Sequence, residues 1–185
     1  MTANLIAANR FTAASDDGLS DDLWEPTSII GIGNPDSAND KNAEKEFFAT
    51  KQYEPKLQID TKVALVKYHP GYDPKEIDNL IESGYKAIIF EGTGLGHIGN
   101  TMYDVVKKAN EKGLFLGMTS QCIDGRIRMT VYESGRDLME LGIIPLEDII
   151  PEVALVKAMW ALGNSENVED MKKLMLHNTA SEFTE

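Results

Sequence analysis

The residues best able to do chemistry lie in one run, Glu91-Gly-Thr-Gly-Leu-Gly-His-Ile-Gly-Asn100. Gly92, Gly94, Gly96 and Gly99 leave a stretch of backbone almost bare of side chains. Its N–H groups can therefore approach a carboxylate, an amide or a phosphate. Glu91, Thr93 and His97 add a carboxylate, a hydroxyl and an imidazole. Two other segments carry comparable groups, His69-Pro-Gly71 and Thr119-Ser-Gln-Cys-Ile-Asp-Gly125. Cys122 with His69 or His97 would make a nucleophile pair. With nothing local to activate the thiol, a small apolar group beneath a loop is the favoured reading. The histidines lack metal-ligand spacing. Gly94-Leu-Gly-His-Ile-Gly99 fits the dinucleotide pattern G-x-G-x-x-G, yet the next strand ends in Met118-Thr119 and the nearest acid beyond it is Asp124. The acid that should hold a ribose is missing, so a nicotinamide site is disfavoured. Spacing alone favours a plainer role for the glycines, a tight corner between strand and helix.

These groups need a scaffold, and the chain supplies strands and helices in alternation. Val63–Tyr68, Lys86–Phe90 and Leu114–Met118 are short apolar runs of the kind that form buried strands. After the first, Asp73 caps a helix with Pro74 at its first position, Ile77, Leu80 and Ile81 on its buried face, and a stop near Gly84. Met102, Val105, Val106 and Ala109 share one face of a second helix that stops at Gly113. Arg126–Tyr132 alternates polar and apolar residues and is expected to form a short rim strand. Ser134–Leu141 is a third helix ended by Gly142, and Ile143-Ile144 a brief fourth strand. Val153, Leu155, Val156, Met159 and Trp160 give Glu152–Leu162 a broad apolar face. In the last helix Ser165 or Asn167 is the cap, with Val168, Met171, Leu174 and Met175 inward. The pattern implies an α/β fold in three layers, a small parallel sheet of about four strands flanked by helices. His69, the run Gly92–Gly99 and the segment Thr119–Gly125 should then meet at the carboxyl edge of the sheet, where such folds place ligands. His177 reads as a surface group, and Arg126, Arg128 and Arg136 as salt-bridging residues able to grip a carboxylate or a partner.

The chain has 185 residues and a formal charge of −12. Repulsion at that charge argues against direct, tight binding to nucleic acid or to an anionic membrane. One cysteine excludes an intrachain disulfide, and no apolar run is long enough to span a bilayer. A cytoplasmic location is expected. The segment from Met1 to Asp60 reads differently, with five basic residues against eleven acids and a weak apolar pattern. A short amphipathic helix through Leu5, Ile6, Ala8 and Phe11 and an isolated strand over Ser28–Ile32 are its only elements. Residues 1–52 are expected to be a poorly ordered or remnant segment, and residues 53–185 the folded domain.

Beyond spacing, Glu91-Gly-Thr-Gly-Leu-Gly-His-Ile98, preceded by Val63-Ala-Leu-Val-Lys-Tyr-His-Pro-Gly71 and followed by Thr119-Ser-Gln-Cys-Ile123, resembles the C-terminal half of the asparaginase/glutaminase family. Tyr53-Glu-Pro-Lys-Leu57, Val131-Tyr-Glu-Ser-Gly-Arg136, Gly142-Ile-Ile-Pro145 and Pro151–Gly163 are similar to its archaeal, tRNA-dependent branch. Members of that branch are glutaminase subunits of amidotransferases that form Gln-tRNA(Gln) from Glu-tRNA(Gln).

The resemblance implies a two-domain amidohydrolase in which a threonine attacks the side-chain amide of glutamine or asparagine and releases ammonia. A partner amidotransferase subunit, which binds ATP and magnesium, would receive that ammonia. No cofactor is implied for this chain. The family's Thr-Gly-Gly-Thr-Ile and His-Gly-Thr-Asp type motifs, which carry its catalytic residues, are absent from the sequence. The chain alone is therefore expected to be inactive, as a piece of a longer polypeptide or as a relative that keeps only the small domain. In the family that domain reaches across a homodimer interface through its glycine loop. Gly92, Thr93, Gly94 and His97 match that loop and are the implied substrate-binding residues; the apolar surface of a lone domain should also drive self-association. Two other readings stand beside this one, a non-catalytic module for dimerisation or docking and a free-standing asparaginase-like amidohydrolase.

Overall fold

The computed structural model describes residues 56–184. The helix expected near Leu5–Phe11 and the strand expected over Ser28–Ile32 lie outside the described residues. Strand β1 is Val63–Lys67, followed by helix α1 (Lys75–Glu82), β2 (Ala87–Gly92) and, after a 3-10 turn at Asn100–Met102, α2 (Tyr103–Glu111). Then come β3 (Phe115–Ser120), α3 (Glu133–Glu140), β4 (Ile144–Pro145), α4 (Pro151–Gly163) and α5 (Val168–Leu176).

The strands lie in the order β1-β2-β3-β4, all parallel, with Val63 opposite Ala87, Ala87 opposite Phe115 and Gly117 opposite Ile144. Every crossover thus steps the same way along the sheet. Right-handed crossovers that step one way must all lie on one face, and α1, α2 and α3 do. Their Ile77, Ile81, Val105, Val106, Ala109 and Leu138 pack on Val66, Ile88, Phe90, Leu116 and Met118. The alternate residues Val63, Ala87, Ile89 and Phe115 face the other way, and only α4 and α5 remain to cover them. The three-layer α/β arrangement follows.

Local signals act as the sequence indicates. Asp73 Oδ1 accepts a hydrogen bond from Lys75 N at 3.0 Å, and Pro74 has helical dihedrals. Asn167 caps α5, accepting from Asp170 N at 2.9 Å.

Two expectations are corrected. Arg126–Tyr132 is not a strand: Ile127 N donates to Glu147 O (3.0 Å) while Arg128 N donates to Leu95 O (3.1 Å), so its bonds go to separate segments and form no ladder. Its alternation of burial is real, with Ile127 and Met129 inside, but burial alone does not make a strand. Helix α4, read as having one apolar face, is wrapped on nearly all sides, and its Lys157 is fully buried.

Lys157 survives there because the chain after α5 folds back to meet it. Its ammonium pairs with the fully buried Glu182, donates to His177 O at 2.7 Å and lies 5.2 Å from the Phe183 ring centroid. Burial pushes the Glu182 carboxyl up, but the Lys157 ammonium and the Ala180 N–H outweigh it and hold the group below its ordinary value. Burial pushes the Lys157 pKa down, against the opposing pull of Glu182.

Taking away one partner leaves an uncompensated charge in the interior. Glu182→Ala should therefore cost about 3–5 kcal/mol in urea unfolding, while K157M/E182L should be close to neutral. The depressed Glu182 group stabilises the fold above its unfolded value of 4.5 and loses that effect as pH falls through its lower folded value. Melting temperature measured between neutral pH and about pH 3 should consequently fall less steeply for K157M/E182L than for the wild type.

Candidate functional site

The three loops expected to meet at the carboxyl edge do so. The Gln121 amide donates to Tyr68 O (2.5 Å) and Glu91 O (2.9 Å), tying the ends of β1 and β2 to the segment after β3. Ser120 Oγ donates to Gly94 O at 2.6 Å and accepts from Cys122 N at 3.0 Å, which fastens the glycine run to the same segment. His69 lies exposed at this edge, its ring stacked edge-on against Tyr72.

The glycine run does not lead straight into a helix. It closes on itself: Thr93 N and Oγ1 both donate to His97 O, at 2.9 and 3.2 Å, and Gly96 N and His97 N donate back to Thr93 O at 3.1 and 3.0 Å. This loop of Thr93 to His97 consumes most of its own donors, and helical structure begins only at Asn100. The N–H groups of Gly94 and Leu95 at its tip have no hydrogen-bond partner among the described residues. Two adjacent unpaired amides at a glycine turn are suited to an anionic oxygen.

Gly92, Thr93, Gly94 and His97 are thus brought together, in unequal settings. Gly92 is buried at the end of β2, where a Cβ would come within 2.7 Å of Met118 Sδ. Thr93 and Gly94 are exposed. His97 is half-buried, its ring edge-on to Tyr132 with centroids 5.4 Å apart and Nδ1 3.4 Å from Ser134 Oγ, while its Nε2 is buried with no partner among the described residues. Glu91 is paired with Lys67 at 2.6 Å, so a ligand ammonium would have to displace that lysine.

The favoured reading of Cys122, a small apolar group beneath a loop, is corrected: the thiol is exposed. No hydrogen bond joins it to a histidine among the described residues.

Sequence reasoning missed the far wall, formed by the start of α3. Tyr103 Oη donates to Ser134 O (3.3 Å) and sits 3.5 Å from Asp137 Oδ2; burial and that carboxylate push the phenol up. Only the helix-start pattern around Ser134 hinted at this wall. A cleft of about 380 Å³ also exists at the opposite, amino edge, between Lys86, Lys112, Leu162 and Met171. No group of three or more His, Cys, Asp or Glu among the described residues could hold a metal ion.

The fold and the turn define the class: a three-layer α/β domain whose loops gather at the carboxyl edge of a parallel sheet. Residues 62–175 match the glutaminase/asparaginase C-terminal domain, and the chain belongs to that family. It is similar to the D subunit of glutamyl-tRNA(Gln) amidotransferase from Sulfolobus acidocaldarius, 50% identical over 126 residues that make up 68% of this chain and 28% of the relative. The Metallosphaera sedula protein of the same name is 40% identical over 173 residues, 94% of this chain and 37% of the relative. Among solved structures, the thermostable L-asparaginase from Thermococcus kodakarensis superposes with a TM-score of 0.64 at 32% identity, over 69% of this chain and 39% of the other. The chain thus spans about a third of the length of the curated relatives it matches.

The two tip glycines differ in a way that can be measured. Gly94 has φ +52° with open space where a Cβ would stand; Gly96 has φ +95°, and its Cβ would meet Ile127 Cγ2 at 2.9 Å. Gly94→Ala should cost about 1 kcal/mol, the backbone penalty alone, whereas Gly96→Ala adds the clash and should reach roughly 2–4 kcal/mol in denaturant unfolding.

Proposed function

We propose that this chain is the C-terminal part of the glutaminase subunit of a tRNA-dependent amidotransferase. Its turn from Gly92 to His97 would form the substrate-facing lip of a cleft whose nucleophile lies on another domain. The observation carrying this reading is the pair of N–H groups at Gly94 and Leu95 that have no partner among the described residues, set in a segment that matches the named relatives. Those amides would receive the α-carboxylate of glutamine, or of asparagine in the asparaginase reading. His97, with one buried nitrogen unpartnered, would accept or donate a hydrogen bond to the amino-acid head group. Hydrolysis of the amide is left to the missing threonine motifs.

Assembly follows from the same incompleteness. Beside the turn, Ile123 is 89% exposed and Val131 and Tyr132 more than half exposed, an apolar lip suited to a second copy of the subunit in a homodimer. ATP, magnesium and the tRNA would be held by a partner amidotransferase subunit, since the charge of −12 disfavours the phosphate backbone here. A cytoplasmic setting fits this role.

The purified chain should release no ammonia from glutamine or asparagine. Placed at the matching positions of an intact relative, His97→Ala and Gly94→Glu should each lower glutaminase kcat/KM by at least about tenfold, the loss of roughly one good hydrogen bond to a charged group. Ammonia release by the chain alone, or variants as active as the parent, would sink the proposal.

A further inference from the structure

The segment from Gln121 to Tyr132 carries no regular secondary structure, yet it supports the outer side of the glycine turn. Ile127 Cγ2 stands where a Cβ on Gly96 would fall, and Arg128 N holds Leu95 O at 3.1 Å. With no ladder to fix it, this segment depends on discrete bonds, and the Arg126 side chain makes the two that reach Glu147 and Thr184. Arg126 Nε donates to Glu147 Oε2 at 2.6 Å, and its Nη1 donates to Thr184 O at 3.1 Å. The backbone of Glu147 accepts Ile127 N at 3.0 Å and is itself left-handed, with φ +58°. A non-glycine residue holds that conformation only where its surroundings impose it.

Thr184 belongs to a strap that lies past residue 175, where the family match ends. The strap is not a fraying end. Glu182, buried against Lys157, accepts Thr179 N (3.1 Å) and Ala180 N (2.6 Å), while Asn178 Nδ2 donates to Phe183 O at 2.8 Å. Its far end is pinned a second time, Thr184 N donating to Asp148 Oδ1 at 2.9 Å. A continuous run of contacts therefore leads from the interior of α4, through the strap and Arg126, to the tip of the glycine turn.

We propose that Arg126 is a positioning residue for the glycine turn and that the strap from His177 to Thr184 is what holds Arg126 in place. The strap then tunes how well the Gly94 and Leu95 amides are presented to a carboxylate. That last step rests on the function proposed above; the mechanical coupling does not.

Hydrogen–deuterium exchange on the full chain separates the two. In Arg126→Gln, exchange of the Gly96 and His97 amides should accelerate about tenfold, with Ile88–Phe90 in β2 changing by less than about twofold. A chain ending at His177 and carrying Lys157→Met, which removes the charge that truncation would strand, should show the same local loosening. If the turn exchanges in Arg126→Gln as in the wild type, or if the turn and β2 accelerate together, the coupling is refuted. Glutamine titration followed by NMR forms a second arm, in which Arg126→Gln should weaken the affinity about fivefold or more. Absence of glutamine binding by the wild-type chain would count against the proposed ligand, and the exchange data would still decide the role of Arg126.

Discussion

A parallel strand cannot turn back on itself; it must leave the sheet at its carboxyl end and return through a helix on the other side. In this chain β1, β2 and β3 all obey that constraint in the same direction, so three handovers occur side by side along one edge. The candidate site residues sit in those handovers. The glycine turn follows β2, the Ser120-Gln121 clasp follows β3, and His69 follows β1. The opposite edge receives only helix ends returning to the sheet, and its cleft between Lys86 and Met171 is lined by stops and caps.

Because the crossover helices are confined to one face, the other face is covered by whatever follows β4. Helix α4 therefore lies against the sheet beneath α5 and the strap, and it has almost no solvent side. That is why a lysine in its middle needed a carboxylate brought from elsewhere in the chain. A buried ion pair of this kind adds little net stability over an apolar pair. It does tie the strap to α4, since the Lys157 ammonium pairs with Glu182 and donates to His177 O.

The periodic parts of the fold are legible from the residues alone. Strands β1 to β3 are continuous apolar runs, and α1 and α2 have clean apolar stripes ended by Gly84 and Gly113. Asp73 and Asn167 are readable as caps because a short oxygen-bearing side chain before a helix has one obvious use. The rest fails for identifiable reasons. Arg126–Tyr132 alternates in burial as a strand would, but hydrogen-bond partners are not written in hydrophobic period. The burial of Lys157 is not legible, because its partner is 25 positions away on a segment with no pattern of its own. At the candidate site the members are legible and their internal economy is not. The sequence indicates a bare turn, but not that Thr93 and His97 satisfy most of its amides and leave Gly94 and Leu95 open. Nor does it indicate that His97 leans on Tyr132 and Ser134.

Cys122 is the only sulfhydryl in the polypeptide, and it faces water. Its amide rests on the Ser120 hydroxyl, and that same hydroxyl grips the Gly94 carbonyl. A maleimide dye or nitroxide can therefore be installed on the native chain without engineering. It would sit a short relay of contacts away from the bare corner, a built-in reporter of whatever settles there.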